Sequence, residues 1–390
     1  MKDILQEFRK RWLEKPRIVL GIMTGTSFDG IDLAVASISK TNNTLLFKTL
    51  AHSIVEYPKE LQKYFSQITS QNHTSVSDIS SFNFLHPHCV AEAINSFIRS
   101  EEIPQIELIG YHGQTIWHQP TSISIGNYTM TSTFQLGSGS VLAQKTNIPV
   151  VSDFRSADMV FGGQGAPLVP IFDRDIFADT TNIVVLVNIG GIANISVLFP
   201  NSHKPIAYDV GPGNVWIDYI TKKFYGLAFD EGGKIAKTGK FSDELWEQLL
   251  TIDFIEKPYP KSTGREEFSV QLLVSILDDI TISSEDILHT LAKFTAYCIA
   301  KEILFHSNSE CKVYVSGGGL HNDVIQSYIQ SYLPKATFTT TETVGIASDA
   351  KEALCFAYLA WRSMAGLPIS LPSITGAKKE TISGSISFPF

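Results

Sequence analysis

Apolar and polar positions follow one order twice along this chain. Arg17–Gly25 (RIVLGIMTG) reads as a strand and is followed by a turn of small residues. Ile31–Ser39 then alternates as a second strand, and Thr44–Val55 forms a third after Asn42-Asn43. The same order returns at Asn182–Ile189 (NIVVLVNI), the turn Gly190–Asn194, the strand Ile195–Phe199, a turn at 201–204 and the strand Pro205–Val210. Helical periodicity follows each copy, over 59–69 and 76–99 after the first and over 213–224, 267–277 and 284–305 after the second. Further strands at Ile106–Tyr111 and Pro149–Ser152, with a short helix over 140–146, complete the first pattern. Strands Lys312–Val315 and Thr337–Thr340, with helices over 321–332 and 348–365, complete the second.

Two such copies amount to an internal duplication carried by order and turns rather than by identity. The expected fold is α/β and two-lobed, with duplicated mixed sheets facing a central cleft. The expected lobes are 1–178, joined by the Pro-, Gly- and Ser-rich tail 366–390, and 179–365.

A length of 390 residues fits two cores better than one. The net charge of −8 comes without a basic stripe, which argues against a nucleic-acid partner. The start MKDILQEFRKRWLEKPR is charged, unlike a signal peptide, and no stretch approaches the roughly 20 apolar residues of a membrane helix, so a cytoplasmic protein is expected. Cys89, Cys298, Cys311 and Cys355 are widely spaced and read as reduced core thiols. His86, His88 and Cys89 cluster in HPHC, but without a second ligand cluster they read as ordinary helix residues rather than a metal site.

Four kinds of segment carry candidate chemistry. The turn Gly25-Thr26-Ser27-Phe28-Asp29-Gly30 can offer backbone N–H groups and hydroxyls to phosphate oxygens, and Asp29 can reach a magnesium ion through water. It reads equally as a plain hairpin turn. The matching turn with Gly190 and Gly191 in the second copy favours a phosphate chain gripped from both lobes. Gly317, Gly318 and Gly319 follow a strand and let backbone approach a flat ligand such as adenine. In Tyr208–Asn214, Asp209 ends a strand and suits a general base, while Gly211, Gly213 and Asn214 lead into a helix N-terminus that favours anions. A helix cap is the competing account of Asp209 and Asn214. His112 and Gln114, then Arg155 and Asp158, then Gly162–Pro167, stand at strand ends, where open α/β sheets bind ligands. Arg155 has the fork that grips a carboxylate. No GxxxxGK[ST] and no GxSxG is present, which argues against a P-loop enzyme and an α/β-hydrolase.

Taken together, GIMTGTSFDGIDLAVA, YHGQTIWHQP, DFRSADMVFGGQGAPLVP, VNIGGIANIS, YDVGPGNVWIDY, PKSTGREEF, VSGGGLHN and LPSITGAKKETISGSI resemble the anhydro-N-acetylmuramic acid kinases, in order from Val19 to Ile386. The resemblance implies an actin/hexokinase-type fold that uses ATP and Mg2+. It implies hydrolytic opening of the 1,6-anhydro bridge with phosphorylation of the 6-oxygen, in recycling of bacterial cell wall. It assigns the catalytic aspartate to Asp209 and the nucleotide segment to Gly25–Asp32, thereby including Ile31 and Asp32. It gives His112, Arg155 and Glu352 substrate-side positions, and it suggests a homodimer. The family often carries an aspartate after the glycine where this chain reads Gly137-Ser138. Two alternatives stand beside it: a kinase of another 1,6-anhydrosugar such as levoglucosan, and a non-catalytic ATP-binding protein of the same fold.

Overall fold

The computed structural model describes residues 2–25, 28, 30–42, 44–70, 74–202, 204–264, 267–308 and 310–390, with side chains from Gln6 onward except those of Thr69 and Ser70. By contact the chain partitions into two units, 1–176 with 345–390, and 177–344.

The first unit contains β1 (Arg17–Thr24), β2 (Ile31–Thr41), β3 (Thr44–Val55), β4 (Leu108–Tyr111), β5 (Gln114–Ile125), β6 (Tyr128–Leu136) and β7 (Val150–Ser152). The second contains β8 (Val184–Ile189), β9 (Ile192–Leu198), β10 (Ile206–Pro212), β11 (Lys312–Ser316) and β12 (Thr337–Thr340), and β13 (Ser385–Ser387) returns to the first sheet. The two sheets run β3-β2-β1-β4-β7-β13 and β10-β9-β8-β11-β12. In each, the first three strands of the copy pair antiparallel and the next two add in parallel. This repeated order is the actin/hexokinase-like arrangement expected from the sequence.

Each unit has its own core. In the second, β8, β9 and β10 turn Val185, Val187, Ile195, Tyr208 and Val210 toward Trp216, Ile220, Phe294 and Cys298 on the helices Val215–Tyr225 and Ser284–Ser307. In the first, Leu20, Ile22, Leu33 and Val35 meet Phe65, Phe82, Val90 and Ile94. Burial of such side chains contributes about 1.5–3 kcal/mol each.

The lobe boundary expected at 365 is corrected. The helix Lys351–Met364 lies on β1, β2 and β4 of the first unit. Gly21 and Gly110 explain the fit: a Cβ there would stand 1.7 Å from the Ala353 carbonyl oxygen and 2.1 Å from that of Phe356. Only hydrogen at these positions lets helix backbone touch the sheet.

The hairpin β5–β6 was not foreseen. It leaves Trp117, Ile125, Tyr128 and Phe134 exposed. The HPHC segment lies inside the helix Val76–Ser100, where His86 is fully buried and bonded to the hydroxyls of Tyr57 and Tyr111. Burial pushes its imidazole down to about 3, so it stays neutral. All four cysteines are buried and unpaired. No described helix is long and apolar enough to cross a membrane.

Candidate active site

Asp209 sits on β10 at a bulge that shifts the register before Gly211. Bulges re-aim side chains at strand ends. Its carboxylate is half-buried, and its Oδ2 accepts from the Thr263 backbone N–H at 2.9 Å and the Ser262 hydroxyl at 3.0 Å. Burial pushes the carboxyl above the ordinary carboxylate range, against the pull of those two donors. The Thr263 hydroxyl donates in turn to Glu267 at 2.9 Å, and Lys257 pairs with Glu267 at 2.7 Å. The sequence reading gave Ser262 and Thr263 no role, because they stand 53 and 54 positions from Asp209.

Sheet register adds two more residues missed from sequence. Asp209 stands opposite Asn194 on β9, and Asn194 stands opposite Asn188 on β8. Directly opposed residues share a face. A polar row of Asp209, Asn194 and Asn188 therefore crosses three strands, on the face opposite Tyr208 and Val210. Asparagines in strands otherwise rich in branched residues, as in VNIGGIANIS, were the signal that could have revealed it.

The glycine-rich turns of this unit do meet. A Cβ at Gly317 would stand 2.6 Å from Asn188 Oδ1, and one at Gly319 would stand 2.2 Å from Ile189 Cγ2 and 3.3 Å from Asn214 Oδ1. Asn214 ties the group together by donating to the Ile189 carbonyl at 3.1 Å. Gly318 is exposed at the edge of this cradle, and Gly190 is half-exposed. The turn Asp230–Gly233 packs beside it, with Gly233 against the Asn322 side chain, and the Asp230 carboxylate accepts from the N–H groups of Ile235 and Ala236.

Three expectations here are corrected. The N–H groups of Gly213, Asn214 and Val215 donate to the carbonyls of Gly191, Gly190 and Gly191 at 2.8–3.2 Å, so they are not free to bind an anion. Gly213 itself is buried, and a Cβ there would stand 2.2 Å from the Gly190 oxygen. Gly211 is buried against Cys298 and serves packing.

In the first unit, Thr26, Ser27 and the metal candidate Asp29 lie outside the described residues. Gly25 is tied down by Gln114, whose amide donates to its carbonyl at 3.1 Å, while the Thr24 hydroxyl donates to the Gly113 carbonyl at 3.1 Å. Gln114 is fully buried; its amide nitrogen fixes the turn, and its Oε1 has no partner among the described residues. Phe28, with φ of 55°, is buried among Tyr57, Phe65 and Phe82. Ile31 is a core residue of β2, and Gly30 is buried with its Cα against Ile54. These three anchor the turn instead of contacting nucleotide. Asp32 is half-exposed on β2 opposite Met23.

Arg155 and His112 form a second cluster. Arg155 Nε and one Nη donate to His112 Nε2 at 3.2 and 3.0 Å, and the other Nη donates to the Gly165 carbonyl at 2.6 Å. Burial first, and the guanidinium second, hold His112 well below the ordinary imidazole range. It is therefore neutral, with Nε2 accepting and the proton on Nδ1. Among the described residues these bonds leave one N–H on each Nη of Arg155 for another acceptor. Glu352 is an exposed residue, yet surrounding protein pushes its carboxyl up against the pull of Lys351 and Arg155.

Asp158 corrects another expectation. It is fully buried, with Oδ2 accepting from Gly165 N–H at 2.9 Å and Oδ1 from the Thr375 hydroxyl at 2.8 Å. It staples the Gly162–Pro167 loop to the C-terminal segment, with both carboxylate oxygens engaged. Ser138 caps the helix Gly139–Thr146 through Val141 N–H. An open recess of about 520 Å³ between the hairpin and the helix Ser156–Val160 is lined by Gly162 of the candidate loop, but not by Asp209, Arg155 or His112. Among the described residues no group of three or more His, Cys, Asp or Glu side chains gathers to hold a metal.

The family model described as anhydro-N-acetylmuramic acid kinase matches residues 17–389. The chain belongs to the anhydro-N-acetylmuramic acid kinase family. Its activity is accordingly that of a carbohydrate kinase, phosphorylating anhydro-N-acetylmuramic acid with ATP. Similar solved structures include the activator of 2-hydroxyisocaproyl-CoA dehydratase from Clostridium difficile with bound ADPNP, at 12% identity over 90% of this chain and 96% of that chain, TM-score 0.41. A ROK family glucokinase from Streptomyces griseus in complex with glucose and AMPPNP matches at 13% identity over 87% and 97%, TM-score 0.37. Component A of (R)-2-hydroxyglutaryl-CoA dehydratase from Acidaminococcus fermentans matches at 10% identity over 90% and 99%, TM-score 0.42. These likenesses are distant, and none bears on the site.

Proposed function

We propose that Asp209 is the general base that launches water at the anomeric carbon of 1,6-anhydro-N-acetylmuramic acid. The observation that carries this reading is the half-buried carboxylate on the β10 bulge, held through one oxygen by Thr263 and Ser262. Among the described residues that arrangement leaves Oδ1 to take a proton, and burial raises the basicity of the group.

The chemistry balances as follows. Water loses a proton to Asp209 and its oxygen bonds to C1. The bond from C1 to the bridging oxygen breaks, and that oxygen, attached to C6, attacks the γ-phosphorus in line as ADP departs. The phosphoryl acceptor does the work that a second carboxyl does in glycosidases, so one carboxylate suffices. The products are N-acetylmuramic acid 6-phosphate and ADP.

The cradle of Gly190, Gly317, Gly318 and Gly319 suits close approach of the nucleotide, and Gly25 and Asp32 are proposed as further nucleotide-side residues. Mg2+ would accompany the nucleotide and neutralise developing phosphate charge, and Asp29 is the side chain proposed to reach it. Arg155, oriented by neutral His112, would direct its two remaining N–H groups at the lactyl carboxylate of the sugar, and Glu352 stands as a further sugar-side group. The exposed apolar side chains of the β5–β6 hairpin offer a surface for a homodimer. We place the reaction in the cytoplasm, in recycling of cell-wall sugar.

A coupled ADP-release assay tests the substrate directly, with anhydro-N-acetylmuramic acid, levoglucosan and N-acetylmuramic acid in parallel. Stimulation by the first alone supports the reading. Preference for levoglucosan would reassign the sugar, and no stimulation by any of them would remove the kinase mechanism.

A further inference from the structure

We infer that the buried Lys261–Glu302 ion pair is the device that positions the Asp209 carboxylate. This rests on the reading of Asp209 as base.

Three bonds tie Asp209 to one short segment. Its backbone N–H donates to the Lys261 carbonyl at 3.2 Å, and its carboxylate takes the Ser262 hydroxyl and the Thr263 amide. Residues 261–264 have no regular secondary structure, so no ladder fixes them. At one end the Thr263 hydroxyl bonds to Glu267, and at the other the segment is anchored by the Lys261 side chain, which is only 3% exposed. Its Nζ lies 2.7 Å from Glu302 Oε1, 3.4 Å from the Phe254 carbonyl, 3.5 Å from that of Ile255, and 5.0 Å from the Phe254 ring centre.

Glu302, on the helix Ser284–Ser307, uses its other oxygen for the Tyr208 hydroxyl at 2.8 Å. Tyr208 is the residue immediately before Asp209. One carboxylate therefore grips both the strand that bears the base and the segment that holds it. The ring closes through Asp209, Ser262-Thr263, Lys261, Glu302 and Tyr208. One turn along the same helix, His306 Nε2 stands 2.8 Å from the Tyr208 hydroxyl. Because that hydroxyl already donates its proton to Glu302, His306 must be the donor there.

Stability alone does not account for this pair. Desolvating two charges costs several kcal/mol each, and well-packed apolar replacements of such pairs are often as stable or more so. A fixed direction for Asp209 is what apolar replacements would not supply, and misplacement of a reacting group by about 1 Å can cost about 100-fold in rate.

The test compares wild type with Lys261→Met/Glu302→Leu, Lys261→Arg, Glu302→Gln and Asp209→Asn. It measures kcat, KM for sugar and ATP, the pH dependence of kcat, and thermal stability. Among the described residues, Lys261, Glu302, Tyr208 and His306 with Tyr259 stacked on Tyr208 lie on one side of Asp209, and Glu267 paired with Lys257 lies behind Thr263 on the other.

The double variant is expected to stay folded with KM for ATP within about twofold, while kcat falls about 10–100-fold. The acidic limb should move to higher pH as the two donors slacken. Lys261→Arg should recover part of kcat. If the double variant does not fold, Glu302→Gln carries the test, with a smaller kcat loss and the same direction of pH shift. A folded double variant, or a folded Glu302→Gln, with wild-type kcat and pH limb overturns the inference. Full activity in Asp209→Asn would overturn the base assignment instead, so the two failures are distinct.

Discussion

The backbone amide of Thr263 holds the carboxylate of Asp209 at 2.9 Å across 54 positions of chain. The Ser262 hydroxyl adds a second bond to the same oxygen. Both stabilise the charged form, and both oppose the burial that pushes the carboxyl up. Ser262→Ala removes one of them. The folded-state carboxyl then rises further, so less of it is ionised at mildly acidic pH. The pH profile of kcat/KM should show its acidic limb at higher pH than wild type, with a larger loss at pH 6 than at pH 8. An unmoved limb would mean that Asp209 is not the group titrating in that profile.

Gly213 is packed so that a Cβ would stand 2.2 Å from the Gly190 carbonyl oxygen. Backbone must move to admit it. Gly213→Ala should cost about 1–3 kcal/mol in denaturant unfolding and raise KM for ATP, because the turn at Gly190 and Gly191 shifts with it. An unchanged KM for ATP would separate this turn from the nucleotide.

Arg155 presents its free N–H groups as a planar fork, which an ammonium cannot imitate. Charge-assisted bonds contribute about 1.5–3 kcal/mol each, or roughly 10–100-fold. Arg155→Lys should raise KM for anhydro-N-acetylmuramic acid by about that factor in steady-state assays. Activity toward levoglucosan, which lacks the lactyl carboxylate, should change much less. Equal losses on both sugars would count against the carboxylate contact.

Asp158 bonds Gly165 and Thr375 from a fully buried position. Asp158→Ala leaves both donors without their partner, at a cost of about 1–3 kcal/mol per group. A lower melting temperature is expected for the ligand-free protein. A variant with unchanged melting temperature and lost sugar binding would restore Asp158 to the substrate contacts.

Much of this was legible in the chain. The duplicated order of three strands followed by helices and further strands came from alternation and turn residues such as Asn42-Asn43 and Gly190-Gly191; the parallel pairing of the later strands came only with the structure. Asp209 could be singled out because a carboxylate before a glycine-rich helix start is unusual. What was not legible depended on distance in sequence. Ser262 and Thr263 reach Asp209 only through the fold, and Gly21 and Gly110 reveal their purpose only when the helix Lys351–Met364 is laid on them.

Phe28 and Ile31 read as parts of a nucleotide turn because a motif does not say which of its members face inward. The N–H groups near Gly213 looked free because sequence does not show that Gly190 and Gly191 carbonyls take them. The β5–β6 hairpin escaped because Ser and Thr occupy both its faces, and Gly126-Asn127 was the one turn signal available.

The most direct measurement is ADP release by Asp209→Asn with anhydro-N-acetylmuramic acid, alongside ATP binding by titration. The side chain keeps its shape and can still accept from Thr263, but it can no longer take a proton from water. The account predicts turnover reduced by about 10²–10⁴-fold with ATP affinity unchanged. Turnover equal to wild type would contradict it.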